Sequence, residues 1–238
     1  MNIKDQIPSL LEEIQDLSLE ASLLLMGQRF AGRAVFSSAL GQEDQVIAHA
    51  IFKNQLPVQV FSLDTGRLFH ETYALWEETE QLYQAKIKAY YPDATQIEDF
   101  VDSHGINSFY ESVENRKLCC NIRKVQPLKR ALAGASVWIT GLRAAQSDNR
   151  SNISLLEWDE AFQIIKFNPI IGWSYEDMLA YLALYHIPSN KLHQSGFISI
   201  GCAPCTRAIA PGEEARAGRW WWEQTQKECG LHANYFNK

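Results

Sequence analysis

The sequence predicts an α/β fold: a single domain with a mostly parallel central sheet flanked by helices, followed by a C-terminal tail. Three observations lead there. From residue 33 onward, short β-prone runs alternate with longer segments of helical periodicity, which is the pattern of βαβ units. The apolar runs Ala34-Val-Phe36 and Val58-Gln-Val-Phe-Ser-Leu63 end in polar, glycine-bearing turns, as strands of a parallel sheet do where they pass into helices. With 46% hydrophobic residues in a chain of 238, one sizeable core can be buried.

Each element has its own signal. Residues 8–26 read as one amphipathic helix, with Leu10, Leu11, Ile14, Leu17 and Leu24 near helical spacing. A strand over 33–38 ends in Ser37 and Ser38, and a helix over 44–53 leads to a buried strand over 58–63. A helix over 68–84, a strand near 86–90 and a helix over 117–132 follow, the last expected to kink at Pro127. Residues 137–140 form another strand, which opens into a loop over 141–150; after 162–167 comes a helix over 175–185. From Gly196 glycine and proline become frequent and apolar periodicity fades, so the last forty or so residues read as a functional segment. There is no internal repeat.

Charge and cysteine usage narrow the function. The N-terminus is acidic and amphipathic, unlike a secretory signal, and no apolar run is long enough to span a bilayer. A cytoplasmic protein with no membrane association is expected. A net charge of −6 argues against a general nucleic-acid binder. Yet residues 115–147 contain no Asp or Glu and hold Arg116, Lys117, Arg123, Lys124, Lys129, Arg130 and Arg143. A basic segment in an acidic chain suggests an anion site, with a solvated helix face as the plainer reading.

Two cysteines sit inside that segment, in the stretch KLCCNIRK. Adjacent Cα atoms are about 3.8 Å apart, below the roughly 4.4 Å at which disulfides begin. Cys119 and Cys120 therefore suggest metal ligands. Cys202-Ala-Pro-Cys205 is a C-x-x-C knuckle, and the four thiols together suit zinc or an iron–sulfur cluster; spacing does not separate the two. Cys229 is left over, beside a glycine and three residues before His232. Three turns after strands offer anion or nucleotide contacts: Ser37, Ser38 and Gly41 after the first, the turn following Leu63 after the second, and Gly141 with Arg143 after a later one.

The motifs LDTGRLF.ETY, CC.IRK..PLKRAL, WITGLR..QS, GC.PCT, ARAGRWWWE and KECGLH, in this order, resemble the assimilatory adenylyl-sulfate reductases of the sulfonucleotide (APS/PAPS) reductase family. The resemblance runs from about Phe36 to His232. It implies a fold like that of the ATP pyrophosphatases and adenine nucleotide α-hydrolases, with a sulfonucleotide-binding domain over 1–200, the first helix as an N-terminal extension, and a C-terminal segment over 201–238. It implies a [4Fe–4S] cluster on Cys119, Cys120, Cys202 and Cys205, because the branch with paired and C-x-x-C cysteines carries one and prefers adenosine 5′-phosphosulfate. The modified phosphate loop falls at 37–44, where Ala39 replaces an expected hydroxyl and leaves its contact to Ser37 or Ser38.

The implied reaction is attack by the Cys229 thiolate on the sulfate sulfur, expelling AMP and leaving an S-sulfocysteine that thioredoxin, or a glutaredoxin-like dithiol, resolves to sulfite. This would serve sulfate assimilation and cysteine biosynthesis. Lys124, Arg216 and Arg219 match the family's substrate-binding positions; Arg143 and Arg150 are further candidates, and Leu63 is expected to hold the adenosine. Independently of the resemblance, a thiolate approaching a sulfate and a phosphate needs cations to offset repulsion. Trp220, Trp221 and Trp222 are expected to anchor the tail more than to stack on adenine, and the protein is expected to be a homo-oligomer. The alternatives are a reductase for the 3′-phosphorylated nucleotide, an ATP-pyrophosphatase-type enzyme, which should carry an intact Ser-Gly-Gly-x-Asp-Ser-like loop, and a zinc-knuckle binding module.

Overall fold

The computed structural model describes residues 3–146 and 153–223. In chain order the elements are α1 (Ile7–Ile14), α2 (Leu19–Arg29), β1 (Ala34–Ser37), α3 (Gln42–Lys53), β2 (Gln59–Leu63), α4 (His70–Tyr83), β3 (Lys88–Tyr90), α5 (Ala94–His104), α6 (Val113–Cys120), α7 (Gln126–Leu132), β4 (Val137–Ile139), β5 (Leu156–Asp159), β6 (Ile164–Phe167) and α8 (Tyr175–Leu184). The strands form one six-stranded sheet in the order β3-β2-β1-β4-β6-β5. β1 pairs in parallel with β2 and β4, β4 pairs in parallel with β6, and β5 is antiparallel to its neighbour β6. The α/β fold with a mostly parallel sheet is therefore as expected.

The chain divides into two compact units. The first takes Met1–Ser62, Glu71–Lys88 and Gly134–Lys191. Its core runs from Leu10 and Ile14 through Phe36, Ile47, Val137 and Ile165 to Phe167 and Met178, all buried. Ala34, Val35 and Phe36 are all buried, which is the near-continuous apolar reading of a strand covered on both faces. The second unit takes Leu63–His70, Ala89–Ala133 and Leu192–Lys238. One buried apolar cluster in it holds cysteine: Phe109, Cys202, Cys205 and Trp220, with Cys119 and Trp222 packed on it; Ile122, Val125, Leu128 and Leu132 are buried in the same unit.

The structure corrects several expectations. The helix over 8–26 is two helices, because Ser18 caps α2 by accepting from Ala21 N at 3.2 Å and so stops α1 before it. α5 was not expected; Asp93 caps it by accepting from Gln96 N at 3.0 Å, but it buries only Phe100, so its apolar periodicity is faint. β5 was also missed. Its turn into β6 contains neither glycine nor proline and is shaped by Asp159 Oδ1, which accepts from Ala161 N and Phe162 N, with Gln163 in the left-handed region at φ 52°.

The helix over 117–132 starts earlier, at Val113, capped by Ser112. It is interrupted by a π turn over Asn121–Val125, with Pro127 in the first turn of α7, where a missing N–H costs nothing. The interruption therefore lies immediately after the paired cysteines and not at the proline.

Candidate functional site

In the first unit, β1 and β4 are parallel neighbours, so the loops that follow them open on the same sheet edge. The loop after β1 is folded on its own side chains. Ser37 Oγ accepts from Trp138 Nε1 at 2.8 Å, and Ser38 Oγ accepts from Leu40 N at 3.1 Å, with Leu40 held at φ 59°. The Asp44 carboxylate accepts from Ala39 N at 2.7 Å and from Gly41 N at 3.4 Å. The backbone donors that the sequence assigned to an anion thus already face a carboxylate, in the N-terminal turn of α3 where negative charge is favoured.

The loop after β4 locks onto the same turn. Arg143 donates through Nε and Nη2 to Glu43 Oε1 at 3.0 and 2.8 Å, and its guanidinium lies 5.5 Å from the Tyr175 ring centroid. A Cβ at Gly141 would lie 2.3 Å from Asp44 Oδ1, so this position requires glycine. Arg143 is buried and ion-paired rather than directed to solvent. Tyr175 is consequently pushed up by burial and by the Glu43 carboxylate, with Arg143 acting the other way.

The second unit contains a cavity lined by Cys119, Cys120, Cys202 and Cys205 together with Arg67, Arg116, Arg123, Lys124 and Arg219; Phe109, Pro204 and Trp220 complete its wall. Among the described residues no acidic side chain lines it. Cys119 and Cys120 end α6, and the π turn carries Arg123 and Lys124. The C-x-x-C forms a tight turn in which Cys205 N donates to Cys202 O at 2.9 Å. Ala203 N donates to Arg67 O at 2.8 Å, and Thr65 Oγ1 lies 3.3 Å from Cys202 Sγ, which ties the knuckle to the turn after Leu63. Arg123 donates to Thr65 O at 2.7 Å and fixes that turn to the π turn.

The four thiols are free of disulfides. Burial pushes Cys205 up to about 12; Cys202 adds to the shift, and Lys124 and Arg219 oppose it. Burial likewise raises Cys119, with Arg123 pulling it back. Several buried donors at this cavity have no hydrogen-bond partner among the described residues: Arg123 Nε, Arg219 Nε and Trp220 Nε1. An acceptor-rich, anionic, soft group would satisfy both the donors and the thiols.

The predicted residues are thus sorted. Cys119, Cys120, Cys202, Cys205, Lys124 and Arg219 line one cavity. Arg219 is buried, its guanidinium 4.7 Å from the Trp220 ring, and it lies so close to Gly201 that a Cβ there would be 2.3 Å from Nη2. Arg216 is half-buried one turn before it, its carbonyl accepting from Arg219 N at 2.9 Å. Leu63 ends β2, half-buried. Ser37, Ser38, Gly41, Gly141 and Arg143 cluster in the first unit as described. Arg150, Cys229 and His232 lie outside the described residues.

The sequence reading passed over Arg123, Thr65 and Arg67, although each sits in a stretch it had singled out. It also passed over the Arg116–Glu223 pair, 107 residues apart, for which no local signal exists.

The description "Phosphoadenosine phosphosulfate reductase domain" matches residues 33–208. A protein of Sinorhizobium fredii (strain USDA 257) named adenosine 5′-phosphosulfate reductase is 52% identical over 232 residues, covering 97% of this chain and 92% of that one. A protein of Allochromatium vinosum with the same name is 46% identical over 232 residues, covering 96% and 91%. Among solved structures, phosphoadenylyl-sulfate (PAPS) reductase from Candida auris, in a phosphate complex, superposes with a TM-score of 0.72 at 28% identity, over 87% of this chain and 97% of that one. The Candida glabrata FMN adenylyltransferase, with a TM-score of 0.55 at 15% identity over 91% of this chain and 73% of its own, shares the fold alone.

Proposed function

Because the chain belongs to the phosphoadenosine phosphosulfate reductase domain family, we propose that it reduces adenosine 5′-phosphosulfate to sulfite and AMP in sulfate assimilation. The observation that carries this reading is the meeting of Lys124 and Arg219 with four soft thiols in one cavity of the second unit. The name shared by the rhizobial and Allochromatium relatives supports the nucleotide without a 3′-phosphate as substrate.

Two transfers make up the reaction. The Cys229 thiolate attacks the sulfate sulfur; an S–S bond forms, the S–O bond to phosphate breaks, and AMP leaves with the electron pair. A dithiol then attacks Cys229 Sγ and expels sulfite, and its second thiol closes a disulfide as Cys229 returns to a thiol. The dithiol thereby supplies both electrons; thioredoxin or a glutaredoxin-like protein is the proposed donor. Lys124, Arg216 and Arg219 offset the charge that builds up as an anionic nucleophile meets an anionic substrate. The turn after Leu63 is assigned to the adenosine. Ser37, Ser38, Gly41, Gly141 and Arg150 are assigned to further nucleotide contacts, and Arg143 acts by holding Glu43.

Cys119, Cys120, Cys202 and Cys205 are proposed to hold a [4Fe–4S] cluster. All four thiols line the one cavity, as the ligands of a cluster, each bound to its own iron, would. The excess of cations and the partnerless buried donors suit its negative charge and its sulfides. When bound, such a cluster supplies a fixed anionic centre, around which Arg123 and Lys124 are held. Keeping five thiols reduced fits a cytoplasmic location, and a homo-oligomer is the proposed assembly.

Mass spectrometry after incubation with adenosine 5′-phosphosulfate tests the reaction. An adduct of about 80 Da on Cys229, absent from Cys229→Ser and removed by reduced thioredoxin, is the expected result; an unmodified Cys229 in active protein overturns it. Competition between the nucleotide and its 3′-phosphorylated form decides the substrate, with preference for the former expected.

A further inference from the structure

We propose that the buried Arg116–Glu223 ion pair is a positioning device that fixes the point from which the chain runs on to Cys229; this rests on the reading of Cys229 as the nucleophile. Glu223 accepts two parallel hydrogen bonds, from Arg116 Nε to Oε1 and from Nη2 to Oε2, both at 2.8 Å. Each side chain is only 3% exposed, so this is a desolvated, bidentate pair rather than a surface contact. Arg116 stands on α6 three residues before Cys119, a spacing that puts the two on the same helix face. The pair therefore ties Glu223 to the helix that presents the paired cysteines.

The residues before Glu223 are pinned with it. Trp220 is 1% exposed, with the Arg116 and Arg219 guanidinium carbons 4.8 and 4.7 Å from its ring centroid. It is held at φ 42°, a conformation that an aromatic residue keeps only where its surroundings impose it. Trp222 packs edge-on against Tyr110 at 4.5 Å, and Glu223 N donates to Trp220 O at 2.9 Å. Four residues of chain, 220–223, are thus anchored through ring, backbone and charge.

A buried ion pair with a carboxylate contributes little net stability compared with an apolar packing of the same volume, so stability alone does not explain it. Directionality does. Cys229 follows Glu223 by six residues, so its Cα can be no more than about 22 Å from that of Glu223. Fixing Glu223 beside the cation-lined cavity sets the origin of that radius and so raises the effective concentration of the thiol at the bound nucleotide. A free origin would dilute it without altering any residue that binds nucleotide.

The test uses the full chain, prepared anaerobically with its metal. Glu223→Gln keeps the shape and removes the charge; Glu223→Asp keeps the charge and withdraws the carboxylate by one methylene. For each, the rate of adduct formation on Cys229 in a single turnover is compared with the equilibrium affinity for adenosine 5′-phosphosulfate, the latter measured in a Cys229→Ser background. We expect the rate to fall at least tenfold while affinity stays within threefold and iron content is unchanged. The Asp variant, which retains the ion pair's charge, is expected to fold even if the Gln variant does not, and to show the same split. An unchanged rate, or a rate and affinity that fall together with iron content, overturns the positioning role. Wild-type protein that forms no adduct sinks the proposed reaction as well, whereas a wild-type adduct with unimpaired variants sinks this inference alone.

Discussion

At the scale of single residues, the charges of the two units are handled in different ways. In the first unit they are paired off: Glu43 with Arg143, and Asp44 with the amides of its own loop. Gly141 is the residue that lets these meet, and Gly141→Ala should destabilise the protein by about 1–3 kcal/mol, because the added carbon would overlap Asp44 and force the loops apart; urea unfolding measures it. In the second unit Arg116 is paired with Glu223, while the described residues lining the cavity include Arg67, Arg123, Lys124 and Arg219 and no carboxylate. Lys124→Ala should therefore lower turnover at least tenfold, equivalent to about 1.4 kcal/mol in the transition state, while the visible absorbance expected of the proposed cluster persists. Unchanged turnover would refute its role. His49 gives a third prediction. It is buried among Tyr83, Tyr181 and Tyr185, bonded to Tyr83 Oη at 2.7 Å; burial and then Lys53 lower its pKa, and Glu20 opposes them. A histidine held neutral by the fold takes up its proton more readily when unfolded. Its contribution is complete above the unfolded value near 6.5 and is lost as pH falls through that value toward the lower folded one. The drop in urea midpoint from pH 7.5 to 5.5 should be smaller in His49→Gln than in wild type.

At the scale of elements, capping decides where helices begin and the π turn decides where side chains point. Ser174 and Asp177 form a reciprocal capping box on α8, so Ser174→Ala should cost about 1 kcal/mol of stability, read from thermal or urea unfolding. The π turn accommodates one more residue per hydrogen-bonded turn than an α-helix does. Deleting Asn121 should restore α-helical spacing between Cys120 and Lys124 and turn the lysine away from the cavity. Loss of turnover in protein that still unfolds cooperatively is the expected outcome. This sharpens the reason for the adjacent cysteines: they occupy the last turn of α6, and the irregular turn that follows sets the direction of Arg123 and Lys124. Periodicity predicted a helix here and proline a kink, yet the irregularity lies earlier, because π turns leave no mark in composition. The strands were legible for the opposite reason, since a buried parallel strand must be apolar almost throughout, as Ala34-Val-Phe36 and Val137-Trp-Ile139 are.

At the scale of the molecule, the chain crosses between its two units several times, so that the second is assembled from three separate stretches. One of its buried apolar clusters contains two of the four thiols, so the proposed iron–sulfur cluster, by binding the folded form, should add to its stability. Removal of the proposed cluster with a chelator under anaerobic conditions should lower the melting temperature by several degrees, and iron and sulfide analysis of the intact protein should find about four of each; zinc in their place would refute the cluster. The sequence by itself determined the fold class, through alternating apolar periods, and the chemical inventory: two pairs of cysteines, a basic stretch and a fifth cysteine. Those are local properties of composition and spacing, readable wherever a residue type has few other uses. Tertiary structure alone decided which cations are already paired, as Arg143 is; which donor atoms are buried without partners among the described residues, as Arg123 Nε and Arg219 Nε are; and that Arg116 grips Glu223 from 107 positions away. Pairing and burial depend on distances between segments remote in sequence, and local pattern carries no information about those until the chain is folded.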